Sequence, residues 1–215
     1  MQIDIFFDVV CPWCFIGKRR MDRAIEGRQG MPVALSWQPF QLNPGMPPDG
    51  MDRRDYLAAK FGGTARAAQV YAMVAETAER DGLKLNLEAI ERTPSTLDAH
   101  RLIRLFTRGG GDAADAVEAL FQAYFFDGRD IGDKAELAEI GVDLGFDREE
   151  VAPYLDSRVD INHIRAADTA ARRMGIQAVP CFVFDRRYAL SGAQEPESFF
   201  PMFDLAGGEA ALSHG

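Results

Sequence analysis

The feature that most constrains the fold is a short apolar segment at the start of the chain, which runs directly into two cysteines. Alternate positions of this segment hold Ile3, Ile5, Phe7 and Val9, a period of two that predicts a strand. The motif CPWC follows at once, and apolar residues then recur at helical spacing as far as Gly27, with Pro12 suited to the first helical turn. Alternation at 33–38 predicts a second strand. The chain therefore begins β-α-β, with a helix long enough to cross over to a parallel neighbour.

The rest of the sequence predicts helices in the middle of the chain and strands near its end. A loop rich in Pro and Gly, 42–51, precedes a region whose apolar periodicity is helical to about residue 157. Within it, Ser95 is predicted to cap a helix that ends at Gly109. A further helix at 158–174 is followed by two short strands, which are predicted to form a hairpin around 185–187. We therefore predict one α/β domain that is interrupted by an all-helical insertion.

Composition and charge exclude several functional classes. A chain of 215 residues with 47% hydrophobic composition can bury a core without disulfides or metals. Its formal net charge of −9 disfavours binding to nucleic acids and to anionic lipid surfaces. The N-terminus lacks the basic region and the cleavage site of a signal peptide, and the sequence contains no long apolar run. We therefore predict a cytoplasmic protein that does not span a membrane.

Cys11 and Cys14 allow three interpretations, namely half of a metal site, an inert pair, or a redox pair. Cys11 is predicted to lie where a strand ends and a helix begins, so unpaired backbone N–H groups and the helix dipole favour its thiolate. Cys14 lies on the same side of the first turn and can reach it. A zinc site needs further ligands, and neither Cys181 nor the three histidines show a second ligand spacing. The redox interpretation is favoured, with Cys11 as an exposed nucleophile and Cys14 as the resolving thiol.

Four sequence segments together resemble a known family. They are CPWCFIGKRR, TPSTLDAHRL, GIQAVPCFVF and DRRYALSGAQ. They are similar to the DsbA-like thioredoxin superfamily, and within it to the FrnE-like branch of cytosolic oxidoreductases. This branch is related to 2-hydroxychromene-2-carboxylate isomerases and to kappa-class glutathione transferases. The resemblance implies a thioredoxin-like domain formed by 1–42 and 158–215 and a helical insertion domain at 43–157.

The resemblance also implies a site and its partners. Dithiol–disulfide exchange would take place at Cys11 and Cys14, opposite a cis-proline that would be Pro180, and backbone groups of Val179 would be open for pairing with a substrate. No tightly bound cofactor or metal is expected, but glutathione or a cellular dithiol can serve as redox partner for a protein or small-molecule disulfide. A homodimer through the helical region is expected from relatives. The isomerase and transferase relatives usually carry a serine at position 11 and use glutathione, so a glutathione-dependent isomerase of small aromatic substrates is the alternative function.

Other side chains are secondary candidates. Pro12, Trp13 and Val179 are predicted to bind substrate through their position at the motif and the proline loop. His100 is either a packed histidine or a residue that lines the mouth of the site. Cys181, which follows the proline where relatives commonly have an aromatic residue, is either a core residue or a third thiol near the pair. The basic segment 18–20 is interpreted as solvated helix charges rather than a clamp for a glutathione carboxylate.

Overall fold

A computed structural model describes residues 1–28 and 30–212 of the chain. The strands are β1 (Gln2–Phe7), β2 (Ala34–Pro39), β3 (Met51–Asp52), β4 (Arg92–Thr93), β5 (Cys181–Phe184) and β6 (Tyr188–Ser191). The helices are α1 (Pro12–Glu26), α2 (Arg53–Phe61), α3 (Thr64–Arg80), α4 (Leu97–Arg108), α5 (Ala113–Phe125), α6 (Lys134–Asp143), α7 (Arg148–Asp156), α8 (Ile161–Arg173) and α9 (Phe200–Leu212). A short 3-10 helix, Pro196–Phe199, leads into α9.

The larger sheet has the strand order β2-β1-β5-β6. β1 and β2 run parallel, with Ile3 opposite Leu35, so the predicted β-α-β start is confirmed. β5 and β6 form an antiparallel hairpin at the predicted place. Its turn needs the left-handed backbone, which Asp185 adopts with φ 45° and Arg186 with φ 58°. The strands of this sheet therefore come from both ends of the chain, and the helices α2 to α7 lie between them in sequence.

The inserted region differs from the prediction in two details. Met51 and Asp52 pair with Thr93 and Arg92 as a small antiparallel sheet, which the helical pattern did not reveal. The prediction that Ser95 caps α4 was wrong, because Thr96 occupies the N-cap and its side chain makes no capping hydrogen bond there. Two-residue strands are too short to show a periodicity in the sequence. Residues 213–215 of the predicted second thioredoxin-like segment lie outside the described residues.

Helix α1 packs between two apolar clusters and is therefore fixed on both faces. On one side, Phe15 stacks on Phe121 of α5 with ring centroids 4.8 Å apart. On the other, Met21 is buried in a cluster with Phe182 of β5 and with Phe199, which precedes α9. Burying side chains of this size stabilises the fold by about 1.5–3 kcal/mol each. The start of α1, which carries both cysteines, is thus held by the sheet and by the insertion together.

Ion pairs join α1 to the insertion and correct the interpretation of segment 18–20. Lys18 and Arg20 are buried, whereas they were expected to be solvated. Lys18 lies 3.1 Å from Glu118, and Arg20 lies 2.7 Å from Asp81, because α5 and the end of α3 cover this part of α1. Burial opposes ionisation of Glu118, but a Gln122 hydrogen bond and the nearby charges of Lys18 and Arg19 lower its pKa overall. These cations have carboxylate partners within the protein.

Gly17 provides a test of how closely α1 packs on the proline loop. A Cβ added at Gly17 would lie 2.8 Å from Cγ of Pro180, too close for an ordinary contact. In a helix, Gly→Ala ordinarily stabilises by about 1 kcal/mol. We expect Gly17→Ala instead to lower the free energy of unfolding by about 1–3 kcal/mol, as overpacked cores do. Denaturant titration of the purified variant measures this change.

Gly207 is the matched control, because it lies in α9 and, among the described side chains, a Cβ there would meet only Cε of Met1, at 4.0 Å. Gly207→Ala should leave stability unchanged or raise it. A Gly17→Ala variant as stable as the wild type would contradict the close contact between α1 and Pro180.

Candidate active site

Cys11 stands at the N-cap of α1, where the extended strand conformation changes to helix. Its φ and ψ are −92° and 110°, and Pro12 follows as the first helical residue. The Cys11 carbonyl accepts a hydrogen bond from the N–H of Cys14 at 3.0 Å, which closes the first turn over the motif. The N–H of Cys11 in turn donates to the carbonyl of Asp8 at 3.0 Å. The local backbone therefore places the two cysteines three positions apart on one helical turn, as predicted.

Both thiols are free and buried, which corrects one expectation. Cys11 is only 4% exposed and Cys14 is 2% exposed, although Cys11 was predicted to be an exposed nucleophile. The insertion contributes to this cover, since side chains of α2 and α3 line the cavity beside Cys11. Such long-range cover leaves no sign in the local pattern that predicted the helix start. Cys11 is reached through a cavity rather than across an open surface.

The two cysteines differ in their electrostatic surroundings. Burial raises the pKa of the Cys14 thiol well above its ordinary value of 9.0, and a hydrogen bond with Cys11 and the charge of that neighbour raise it further. A backbone hydrogen bond from Asp8 acts in the opposite direction but does not outweigh burial. Cys14 is therefore a protonated thiol at neutral pH, and it must lose its proton before it can act as a nucleophile.

The proline loop lies directly against the motif. The Val179–Pro180 bond is cis. The thiol of Cys11 donates a hydrogen bond to the Val179 carbonyl, with 3.6 Å between Sγ and the oxygen. Val179 is 9% exposed and Pro180 is buried against α1 near Gly17. The fold thus brings together Cys11, Cys14, Val179 and Pro180 from opposite ends of the chain.

A cavity of about 230 Å³ opens beside Cys11. Pro12, Trp13 and Val179 line it, so the structure brings these three predicted residues to one place. Its opposite wall comes from the loop after β2 and from the insertion, through Leu42, Arg53, Tyr56, Lys60, Phe61, Val70, Tyr71 and Val74. The sequence analysis missed this wall. Positions 53, 56 and 60 have the three- and four-residue spacing of one helical face, which was the available signal.

Tyr71 brings a hydroxyl group to this wall, which also holds the charged side chains of Arg53 and Lys60. Burial raises the pKa of Tyr71 to about 12, although the neighbouring charge of Arg53 lowers it and a charge on Cys11 would raise it. The phenol is therefore neutral at physiological pH and keeps its proton. A negative charge on the Cys11 sulfur would make this hydroxyl harder to ionise.

His100 does not line the cavity beside Cys11. It is 2% exposed, its ring stands edge-on to Phe7 with centroids 5.2 Å apart, and its Nε2 lies 3.4 Å from Oδ1 of Asp8. It borders a different cavity, which Trp37 and His163 also line. The other carboxylate oxygen of Asp8 accepts the N–H of Leu42 at 2.7 Å. The geometry supports the packed interpretation of His100 rather than direct contact with a substrate at Cys11.

Cys181 is also a core residue by its placement. It lies on β5, is 4% exposed, and its sulfur accepts a hydrogen bond from the Ser191 hydroxyl at 3.7 Å. Burial raises the pKa of its thiol. Among residues 1–28 and 30–212, no group of three or more His, Cys, Asp or Glu side chains is arranged to hold a metal ion.

Comparison with known proteins identifies the family. The sequence profile of the DSBA-like thioredoxin domain matches residues 2–200. The chain belongs to this family. Its structure superimposes on that of a probable DsbA oxidoreductase of Streptomyces coelicolor with a TM-score of 0.87 and 32% sequence identity, over 97% of this chain and 91% of the other. The predicted fold class and the predicted DsbA-like membership are therefore confirmed.

Two more distant structures share the fold. A 2-hydroxychromene-2-carboxylate isomerase matches with a TM-score of 0.68 and 14% identity, over 100% of this chain and 98% of the other. The cytosolic disulfide reductase DsbM of Pseudomonas aeruginosa, in a structure with GSH, matches with a TM-score of 0.63 and 17% identity, over 99% and 100% of the two chains. Within the part of this chain that the structure describes, no helix is long and apolar enough to cross a membrane.

The burial of Cys14 leads to a prediction about its reactivity. In a Cys11→Ser, Cys181→Ser variant, Cys14 is the only thiol of the chain. Removing Cys11 deletes its hydrogen bond and charge but leaves burial, the largest cause of the raised pKa. We expect iodoacetamide at pH 8 to alkylate this thiol at least about tenfold more slowly than a thiol on an unstructured peptide. Mass spectrometry of quenched samples measures the rate.

The same variant in guanidinium chloride is the control and should react at the peptide rate. The alkylation rate of the folded variant is also measured as a function of pH. If it reached half of its maximum at or below pH 9.0, the ordinary pKa of a thiol, the expectation would be contradicted.

Proposed function

We propose that this protein is a cytoplasmic thiol–disulfide oxidoreductase that uses Cys11 as nucleophile and Cys14 as resolving thiol. The observation that carries the proposal is the placement of Cys11 at the N-cap of α1, with its thiol 3.6 Å from the Val179 carbonyl and Cys14 one turn further on. Membership in the DsbA-like family supports the same chemistry. DsbM is a cytosolic disulfide reductase with the same fold, and this likeness supports the cytoplasmic location.

The exchange takes place in two steps. The Cys11 thiolate attacks one sulfur of a substrate disulfide, so a Cys11–substrate disulfide forms and the other substrate sulfur leaves as a thiolate, which takes up a proton. Cys14 then loses its proton and attacks the Cys11 sulfur. This second step forms the Cys11–Cys14 disulfide and releases the remaining substrate sulfur as a second thiol. Two electrons have passed from the protein to the substrate.

A thiol reductant must then return the pair to its reduced form. We propose glutathione, as two molecules that end as glutathione disulfide, or a cellular dithiol that ends as its own disulfide. The steps run in either direction, and the reduction potential of the Cys11–Cys14 pair decides which one dominates. For this two-electron couple, about 30 mV changes the equilibrium tenfold.

Because the pKa of Cys14 is raised, the second step requires the loss of a proton from Cys14, whereas the first step does not. Since a buried, protonated Cys14 attacks slowly, the mixed disulfide at Cys11 persists until that proton leaves. The proposal therefore places the proton-dependent step after the first exchange. We therefore expect the rate at which Cys14 attacks the Cys11–substrate disulfide to rise with pH.

A glutathione-dependent isomerase is the second candidate. It is favoured by the small cavity beside Cys11, which suits a small substrate, and by the shared fold of a 2-hydroxychromene-2-carboxylate isomerase. The two functions make different demands on Cys14. Disulfide reduction needs the resolving thiol, whereas isomerisation assisted by glutathione does not.

The test measures how fast, and with how many thiols released per chain, three single variants reduce a small disulfide. In a single turnover, the wild type should release two thiols per chain. Cys11→Ser should fall below about 1% of the wild-type rate, because the nucleophile is lost. Cys14→Ser should release one thiol and stop as a mixed disulfide at Cys11, which intact-mass spectrometry detects. Cys181→Ser is the matched control and should react like the wild type, because Cys181 is buried on β5 and does not line the cavity.

A Cys14→Ser variant with undiminished turnover of disulfides would contradict the proposal. Isomerisation of a small aromatic substrate that depends on glutathione and survives the loss of Cys14 would favour the isomerase instead.

A further inference from the structure

Arg53 is a buried cation whose charge is balanced by no acidic side chain among the described residues. It opens α2 and is 7% exposed. Its Nη1 donates to the hydroxyls of Thr93 and Tyr124 at 3.1 and 3.0 Å, and its Nη2 donates to the Tyr71 hydroxyl at 2.7 Å. All three acceptors are neutral groups. Its Nε, also buried, has no hydrogen-bond partner in the described structure.

The other buried cations of the described chain show that this arrangement is an exception. They are Lys18, Arg20 and Arg101, and each has a carboxylate at ion-pair distance. Buried charges are normally paired, because an unpaired one loses its hydration without compensation. Stacking against the rings of Tyr71 and Tyr124, with the guanidinium carbon 5.0 and 5.7 Å from their centroids, offsets part of this cost. Among the described residues, no carboxylate lies at ion-pair distance from this guanidinium.

Arg53 lines the same cavity as Cys11. A second cation, Lys60, also lines it and donates to the Tyr56 hydroxyl at 2.8 Å. No Asp or Glu is among the described residues that form this wall. A pocket with two cations and no acid has a positive potential, on a chain whose net charge is −9. This local charge therefore favours entry of an anion at the point where Cys11 is reached.

The size and burial of the site restrict the ligand further. Cys11 is 4% exposed and the cavity beside it holds about 230 Å³, so a folded protein cannot bring a disulfide to this sulfur without moving the insertion. A compact molecule can. The aromatic faces of Trp13 and Phe61 give such a molecule an apolar surface. Tyr71 accepts from Arg53 and keeps its own proton, which it can donate to an anion beside the guanidinium.

We infer that the cavity takes a small thiol or disulfide that carries a carboxylate or another anionic group, and that Arg53 binds this group while the sulfur meets Cys11. This inference rests on the proposed exchange at Cys11 and adds its substrate class. Arg53 is suited to the role because the guanidinium matches planar anions and stays charged at all physiological pH values. The site would select its ligand by negative charge, through Arg53, and by size, through the volume of the cavity.

The experiment measures the rate at which the reduced protein reacts with three small disulfides. They are 3,3′-dithiodipropionate, which is anionic, bis(2-hydroxyethyl) disulfide, which is neutral, and cystamine, which is cationic. The wild type should prefer the anionic probe to the neutral one by about tenfold or more, after correction for their intrinsic reactivity with a free thiol. Arg53→Gln should reduce this ratio to about one, and Arg53→Lys, which keeps the charge, should restore part of it.

Arg54→Gln is the matched control, because Arg54 is exposed and is the next residue on the same helix. Its anionic-to-neutral ratio should equal that of the wild type. If Arg53→Gln does not fold, Lys60→Gln replaces it, since Lys60 is exposed, and should lower the ratio by a smaller factor.

A binding measurement separates the inference from the reaction. The thioether 3,3′-thiodipropionate cannot undergo exchange, and it should raise the melting temperature of the Cys11→Ser variant but not of Cys11→Ser, Arg53→Gln. Equal rates for the three probes, or a ratio unchanged by Arg53→Gln, would overturn the inference and leave the proposed function standing. Failure of every disulfide to react would overturn the proposed function itself. Faster reaction with the disulfides of insulin than with the anionic probe would favour a protein substrate instead.

Discussion

The site depends on the contact between the first turn of α1 and the loop that precedes β5. The thiol of Cys11 donates to the carbonyl of Val179, and Gly17 leaves room for Pro180 one turn and a half further along. Apolar packing on both faces of α1 holds this helix in place. Two segments that are 168 residues apart in sequence thus form one reaction centre. Without this contact, the CPWC motif would still begin a helix with two cysteines, but no backbone carbonyl of the proline loop would lie beside Cys11.

The insertion completes what the thioredoxin-like part begins. Its acidic residues Glu118 and Asp81 pair with cations of α1, and its helices α2 and α3 cover Cys11. Because the same helices carry Arg53 and Tyr71, the element that buries the sulfur also supplies the polar groups beside it. The same wall therefore covers Cys11 and, in our proposal, binds the substrate.

The sequence predicted those features that local patterns determine. The β-α-β start, the final hairpin and the helix start at Pro12 follow from periodicity and from proline and glycine positions. The burial of Cys11 and the pairing of Lys18 and Arg20 could not be predicted in this way, because they depend on helices far away in sequence. Arg53 was missed for the same reason. The sequence also left the isomer of the bond before Pro180 open, since the bond is fixed by tertiary contacts.

The depth of Cys11 has a consequence for turnover. In the proposed exchange, both the oxidising and the reducing partner must meet the same sulfur, which is 4% exposed, so they must occupy the same space at different times. Each partner therefore excludes the other while it is bound, and a large excess of either one slows the cycle.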